Sequence, residues 1–175
     1  MSSNGPYTLI QWGDDPLRHH YIDHEGRMAF TVKEVDRNPN ILIRVARETA
    51  WSQHYPSVLG PDNAYLYLGP ESTMGYVIYG NNPTNFPMHY FLRPGKQPQS
   101  TSRYFRCQNG KDYKWKVTTH RMECFDGRTS IAVWDVSHPS EEYFAKLVIT
   151  QKGMGIVTEI LTSLIVNRMC LALGW

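Results

Sequence analysis

The sequence predicts a mainly β, single-domain protein whose strands surround one apolar helix at the C-terminus. Two observations on composition support the β prediction: eleven Tyr, six Phe and five Trp favour strands, and eleven Pro and thirteen Gly indicate many turns. The third observation is the chain's one long stretch without proline and with helix-forming composition, which lies at its end. Because 175 residues are close to the size of one domain, we expect a single domain over residues 1–175.

The C-terminal helix is predicted at about 154–173. Apolar residues cover most of its circumference, and the polar residues Glu159, Ser163 and Asn167 follow one another at a spacing of four. Such a helix is typical of the interior of a protein or of a membrane. A charge near the centre of a membrane span costs about 2.5–3.5 kcal/mol, so Glu159 and Arg168 favour burial inside the protein over a transmembrane anchor.

Ten to twelve short segments have the composition or the alternation of strands, with turn residues between them. Met88–Leu92 is a further candidate strand in a proline-rich part of the chain, and the segment from Arg93 to Ser102 is predicted to be a loop. The clearest strands are Tyr7–Trp12, Arg27–Val35, Ile41–Glu48, Arg103–Cys107, Lys111–Thr118, Arg121–Phe125, Ser130–Val136 and Phe144–Thr150.

The hairpin at 103–118 has a register that can be predicted. A three-residue loop with Gly110 in the left-handed conformation pairs Phe105 with Tyr113, and it places these two residues and Trp115 on one apolar face. A two-residue loop would separate them. The longer loop is therefore expected, with the opposite face carrying Tyr104, Arg106, Asp112, Lys114 and Lys116.

The order of these elements resembles the tubby-like superfamily, which also holds the phospholipid scramblases and the plant LURP-one-related proteins. More closely, the sequence resembles a family of fungal domains, mostly from mushroom-forming fungi, thought to share that fold. The resemblance implies a closed antiparallel β-barrel of about twelve strands around the C-terminal hydrophobic helix. The segments that carry it are GRMAFTV (26–32), ILIRV (41–45), RYFRCQNGKDYKWKV (103–117), SIAVWD (130–135) and LVITQKGMGIVTEILTSLIVNRM (147–169).

Tubby-like proteins bind phosphoinositides through basic residues on the barrel surface, so the resemblance implies lipid binding here. Residues 103–121 hold six basic side chains against one acidic side chain. We predict that Arg103, Arg106, Lys114 and Lys116 bind an anionic, phosphoinositide-like lipid headgroup, at about 1 kcal/mol per basic residue, or else that the module binds a protein partner. The alternative is a sheet face whose charges only keep it solvated.

The densest group of possible metal ligands is His19, His20, Asp23 and His24. In a strand these residues supply two side chains per face, whereas a metal site needs three or four convergent ligands. We therefore expect exposed turn histidines, and the sequence predicts no metal site and no cofactor.

Catalysis by Cys124 with His120 is disfavoured, because a separation of four residues along a strand places them about 13 Å apart. No other catalytic arrangement stands out, so the prediction is a protein that is not an enzyme. The alternative function is that of a fungal lectin, in which an exposed Trp12, Trp51 or Trp134 would stack on a sugar.

The compartment follows from the N-terminus and the cysteines. The first fifteen residues have no apolar signal region, and three cysteines without metal-ligand spacing suit a reducing environment. We expect a cytoplasmic protein without disulfides, peripheral to membranes if it binds lipid. The formal charge of +2 is too small to indicate a nucleic-acid partner.

Overall fold

The computed structural model describes residues 5–175, which form thirteen strands and four α-helices. Three of these helices are four residues long, and the C-terminal helix has seventeen residues. All thirteen strands belong to one antiparallel sheet. The strands are β1 (Tyr7–Asp15), β2 (Arg18–Asp23), β3 (Met28–Asp36), β4 (Leu42–Arg47), β5 (Asn63–Tyr67), β6 (Tyr76–Tyr79), β7 (Asn85–Pro87), β8 (Arg93–Pro94), β9 (Ser102–Arg106), β10 (Asp112–Val117), β11 (Arg121–Asp126), β12 (Thr129–Val136) and β13 (Ala145–Ile149). The helices are α1 (Thr49–Ser52), α2 (Met88–Phe91), α3 (Gln151–Met154) and α4 (Val157–Leu173).

The sheet is open, with β7 and β8 as its two edges. The strand order is β7-β6-β5-β4-β3-β2-β1-β13-β12-β11-β10-β9-β8. The first and last strands of the chain, β1 and β13, therefore pair with each other in the middle of the sheet. The predicted closed barrel of about twelve strands is therefore wrong, although the mainly β prediction is confirmed. The edge strands contain Pro87 and Pro94, which have no N–H to donate to a neighbouring strand.

Helix α2 joins the two edges directly. The candidate strand Met88–Leu92 is thus a helical turn, with the Leu92 N–H donating to the Met88 carbonyl at 2.9 Å. The predicted loop from Arg93 begins with the short strand β8. We call the unpaired boundary between β7 and β8, bridged by α2, the seam.

Helix α4 confirms the predicted C-terminal helix, and the curved sheet wraps it. Every residue of 157–169 is buried, whichever way its side chain points. The indole N–H of Trp115 in β10 donates to Ser163 Oγ at 2.8 Å, and Arg47 at the end of β4 donates to Thr158 Oγ1 at 3.3 Å. Since β4 and β10 lie far apart in the sheet, contacts from both show that the sheet curves around the helix.

The polar residues inside α4 are satisfied largely by the helix itself. Thr162 donates its hydroxyl to the Thr158 carbonyl at 2.7 Å, and Asn167 donates its amide to the Ser163 carbonyl at 3.0 Å. Such back-bonding lets a short polar side chain enter an apolar interior without an orphaned donor. Across the described chain, no helix has both the length and the apolar character that crossing a membrane requires.

The β9–β10 hairpin has the predicted register. Phe105 is the partner of Tyr113, the Cys107 N–H donates to the Lys111 carbonyl at 3.0 Å, and Gly110 has a φ of 84°. The confirmed three-residue loop places the aromatic residues on the interior face. The charged residues of β10 lie on the outer face.

We predict that Leu164→Ala will lower the free energy of unfolding by about 2–5 kcal/mol, because the lost side chain leaves a cavity at a fully buried position. Urea denaturation measures this change. Leu171→Ala is the matched control on the same helix, where the side chain is 49% exposed, and it should cost well under half as much. Equal costs for the two variants would contradict burial of α4 within the sheet.

Candidate functional site

The outer face of β10 and β11 carries two lysines beside an aromatic ring. The ammonium groups of Lys114 and Lys116 each lie 5.3 Å from the centre of the Phe125 ring. This arrangement follows from the strand register, which pairs Lys114 with Phe125. Within residues 5–175, neither lysine has a carboxylate oxygen within 4.0 Å. Two of the predicted headgroup ligands therefore lie together without an ion pair, although the strand partner of Lys116 on this face is the acidic residue Glu123.

Arg106 lies on the same outer face but is paired. It contacts Asp112 through Nε and Nη2, each at 3.1 Å, and Arg93 Nη2 contacts Asp112 Oδ1 at 2.8 Å. The two guanidinium groups hold the pKa of the Asp112 carboxyl below its usual value, with the hydrogen bond from Arg106 as the largest cause. Two arginines thus share one carboxylate, and one positive charge is left over.

Arg103 does not join the other three predicted ligands. Its strand partner is the buried Trp115, so the side chain of Arg103 leaves the backbone on the interior face of β9. Its guanidinium donates to the carbonyls of Ser100 and Ser102 at 3.3 and 2.9 Å. The structure therefore brings together Lys114, Lys116 and Arg106 and places Arg103 elsewhere.

A cleft of about 690 Å³ lies at the seam, and the sequence analysis missed it. The residues on its two sides lie between positions 79 and 110 and face one another only because the sheet curves, so neither spacing nor periodicity could have found the cleft. It lies between β6, β7 and α2 on one side and β8, β9 and the β9–β10 turn on the other. Its principal wall residues are Tyr79, Phe86, Tyr90, Phe91, Arg93 and Arg106.

Tyr79 in the wall of this cleft has a hydroxyl group without a hydrogen-bond partner among the described residues. The side chain is 3% exposed, and burial raises the pKa of its phenol well above the usual value. Buried hydroxyl groups are nearly always hydrogen-bonded, so an orphaned one needs a reason. Nearby, the side-chain amides of Asn81 and Gln108 exchange two hydrogen bonds of 3.0 and 2.8 Å and tie the two sides together.

Glu159 connects the start of α4 to the same region. Its Oε2 accepts a hydrogen bond from the Gln108 N–H at 2.7 Å. Burial raises the pKa of the Glu159 carboxyl, while the bond from Gln108 opposes that change. Glu159 lies in the first turn of α4, where a negative charge is favourable to the helix dipole, and it also holds the β9–β10 turn against the helix.

The histidine cluster does not consist of exposed turn residues as expected. His19 is 4% exposed on the interior face of β2, and Asp23 is buried on the same face, whereas His24 is exposed. Asp23 accepts hydrogen bonds from the backbone N–H groups of Glu25 and Arg27 and so stabilises the turn. In the part of the chain from residue 5 onward, no three His, Cys, Asp or Glu side chains are grouped to hold a metal ion.

His19 has a defined tautomer. Its Nδ1 lies 2.8 Å from the Asp15 carbonyl, which can only accept, so Nδ1 carries the proton and Nε2 accepts from the Tyr21 hydroxyl at 3.1 Å. Burial, followed by the positive charge of Arg168, lowers the pKa of His19 to about 3. The ring is therefore neutral at physiological pH.

The remaining candidates for chemistry are mostly buried. Burial raises the pKa of the Cys107 and Cys124 thiols, which disfavours the reactive thiolate form. Trp51 and Trp134 are each 1% exposed and cannot stack on a sugar, which leaves Trp12 as the one partly exposed tryptophan of the lectin hypothesis.

We predict a loss of stability in mild acid that originates at His19. The unfolded chain binds a proton at His19 near pH 6.5 and the folded chain only near pH 3, so the contribution to stability is complete above pH 6.5 and falls as the pH drops. Between pH 6 and 5, the free energy of unfolding from urea titrations should fall by up to about 1.4 kcal/mol per pH unit.

His19→Gln removes the titrating group while keeping a donor and an acceptor, and it should flatten this slope. His138→Gln, on an exposed loop, is the matched control and should keep the wild-type slope. The same slope in His19→Gln as in the wild type would show that folding does not lower the pKa of His19.

Comparison with known proteins identifies a family. No curated protein matches the chain. A solved X-ray structure of a protein from Arabidopsis thaliana is similar over 97% of this chain and 93% of that one, at 15% sequence identity and a TM-score of 0.42. The tubby-like resemblance stays a prediction. A family model matches residues 14–169, most of the sequence, and the chain therefore belongs to the family of unknown function DUF6593.

Proposed function

We propose that this protein is a non-enzymatic module that binds anionic membrane lipid through the outer face of β9, β10 and β11. The single observation that carries the proposal is the pair Lys114 and Lys116, which flank Phe125 with no carboxylate of the described chain in contact. We call the face formed by Tyr104, Arg106, Lys114, Lys116 and Phe125 the basic face.

The composition of the basic face suits a lipid headgroup layer. Tyr104 is the strand partner of Lys114 and is partly exposed, so aromatic and cationic side chains alternate on one sheet surface. Aromatic rings favour the interface between headgroups and acyl chains, and each lysine near an anionic surface adds about 1 kcal/mol. Arg106 contributes less, since Asp112 already neutralises part of its charge.

The location in the cell follows from the ligand. Anionic lipids, phosphoinositides among them, are concentrated in the cytoplasmic leaflet of cellular membranes. We therefore propose that the protein lies in the cytosol and binds reversibly to membrane surfaces. A protein partner with an acidic surface would need the same unpaired lysines, and the vesicle experiment separates the two ligands.

We predict that reversing Lys114 and Lys116 to Glu will abolish binding to vesicles that contain phosphoinositide. Wild-type binding should weaken with salt, because the Debye length falls from about 10 Å at 0.1 M to about 3 Å at 1 M. Co-sedimentation with liposomes at several salt concentrations measures both effects. The fold should tolerate the change, since both side chains lie on the outer face, Lys116 exposed and Lys114 half-buried, and surface substitutions usually stay within about 0.5 kcal/mol.

Lys33→Glu with Lys146→Glu is the matched control, because it makes the same change in net charge at exposed positions of β3 and β13. This control should bind vesicles nearly as well as the wild type. If the wild type does not bind at low salt, or if both double variants lose binding equally, the basic face is not a lipid site and an acidic protein partner should be sought.

A further inference from the structure

The cleft at the seam has the size of a small-molecule site. Its volume of about 690 Å³ falls within the roughly 300–1,000 Å³ common for ligand pockets. The seam is the place where the sheet lacks a ladder of strand hydrogen bonds, so side chains rather than backbone form the walls. A molecule lying there would contact both ends of the sheet at once.

Aromatic side chains dominate one side of the cleft. The ring of Tyr79 lies 6.5 Å from that of Phe86 and 6.2 Å from that of Phe91, measured between ring centres. Tyr90 on α2 also lines the cleft and is 68% exposed, which is high for a large aromatic residue. This side offers an apolar surface that an alkyl chain or a flat ring can cover.

Arginine side chains form the other side. Arg93 and Arg106 both line the cleft, and both contact Asp112, so their two positive charges face one negative charge. A guanidinium has five N–H donors, and the contacts with Asp112 use one from Arg93 and two from Arg106. The excess charge and the remaining donors are complementary to one carboxylate or phosphate group.

The hydroxyl of Tyr79 supplies an independent indication. It is the buried polar group of the cleft wall that lacks a partner in the described chain. A buried hydroxyl without a hydrogen bond destabilises the folded state, unless a bound molecule supplies the acceptor or donor. The apolar wall, the two arginines and this hydroxyl all belong to one cleft.

We propose that the cleft binds one amphipathic anion, with its carboxylate or phosphate held by Arg93, Arg106 and the Tyr79 hydroxyl and its apolar chain against the rings of Phe86 and Phe91. An extended peptide is a poorer occupant, because the adjoining edge strands are short and Pro87 and Pro94 cannot donate to an added strand. This site is distinct from the lysines of the basic face and does not depend on their binding a membrane.

Isothermal titration calorimetry with decanoate tests the proposal. We expect one decanoate per chain, with acetate and decanol each binding at least about tenfold more weakly, because each lacks one half of the recognised molecule. Decyl phosphate should compete with decanoate. The tighter of the two identifies the natural head group as a fatty-acid carboxylate or as a phosphate monoester.

Two variants locate the site. Arg93→Gln should weaken decanoate binding about tenfold, and Tyr79→Phe about three- to tenfold, as expected for the loss of one charged and one neutral hydrogen bond. Tyr79→Phe removes a hydroxyl that has no partner in the described chain, so its thermal midpoint should equal or exceed that of the wild type. Weaker binding by a variant of undiminished stability separates a ligand contact from a structural role.

The lysine variant Lys114→Glu with Lys116→Glu is the control that separates this proposal from the membrane proposal. It should bind decanoate like the wild type even though it loses vesicle binding. The cleft proposal is overturned if decanoate does not bind, if decanol binds as tightly, if Arg93→Gln or Tyr79→Phe binds like the wild type, or if the lysine variant loses decanoate binding.

Discussion

Burial of one helix inside one curved sheet is the constraint on which the rest of this structure depends. Thirteen consecutive residues of α4, from Val157 to Met169, are buried, so apolar side chains must meet the helix from every direction. The longer strands satisfy this by directing alternate residues inward, whereas the short edge strands β7 and β8 contain no buried residue. The outer face of the sheet is left to charged residues, and this division makes a cationic surface such as the basic face compatible with a stable fold.

The enclosed helix is held by a few polar contacts as well as by packing, and these fix its position along its axis. Trp115 and Ser163 form a hydrogen bond near the middle, Glu159 accepts from the β9–β10 turn at the start, and Arg168 donates to the Asp14 carbonyl at 2.8 Å towards the end. The Arg168 guanidinium also lies 5.1 Å from the Trp134 ring. Apolar contacts alone would allow the helix to slide, whereas buried hydrogen bonds tolerate only one position.

The sequence was informative where a pattern is local. The apolar circumference of 156–173 predicted the helix, and alternation around Gly110 predicted the register of the β9–β10 hairpin. Closure could not be predicted, because counting strands does not reveal whether the first and last edges meet. The burial of His19 could have been predicted from its neighbour Tyr21, which lies on the same face of the strand and directs that face inward. The cleft could not be predicted from the sequence, because Tyr79 and Arg106 become neighbours only after the sheet has curved.

The seam gives the sheet a mechanical property that a closed ring lacks. A continuous ladder fixes the circumference, because widening it means breaking several hydrogen bonds together. Here the edges β7 and β8 are connected by the four residues of α2 and by side-chain contacts such as that between Asn81 and Gln108. Separating the two edges would therefore break only these side-chain contacts, and every strand ladder would stay intact.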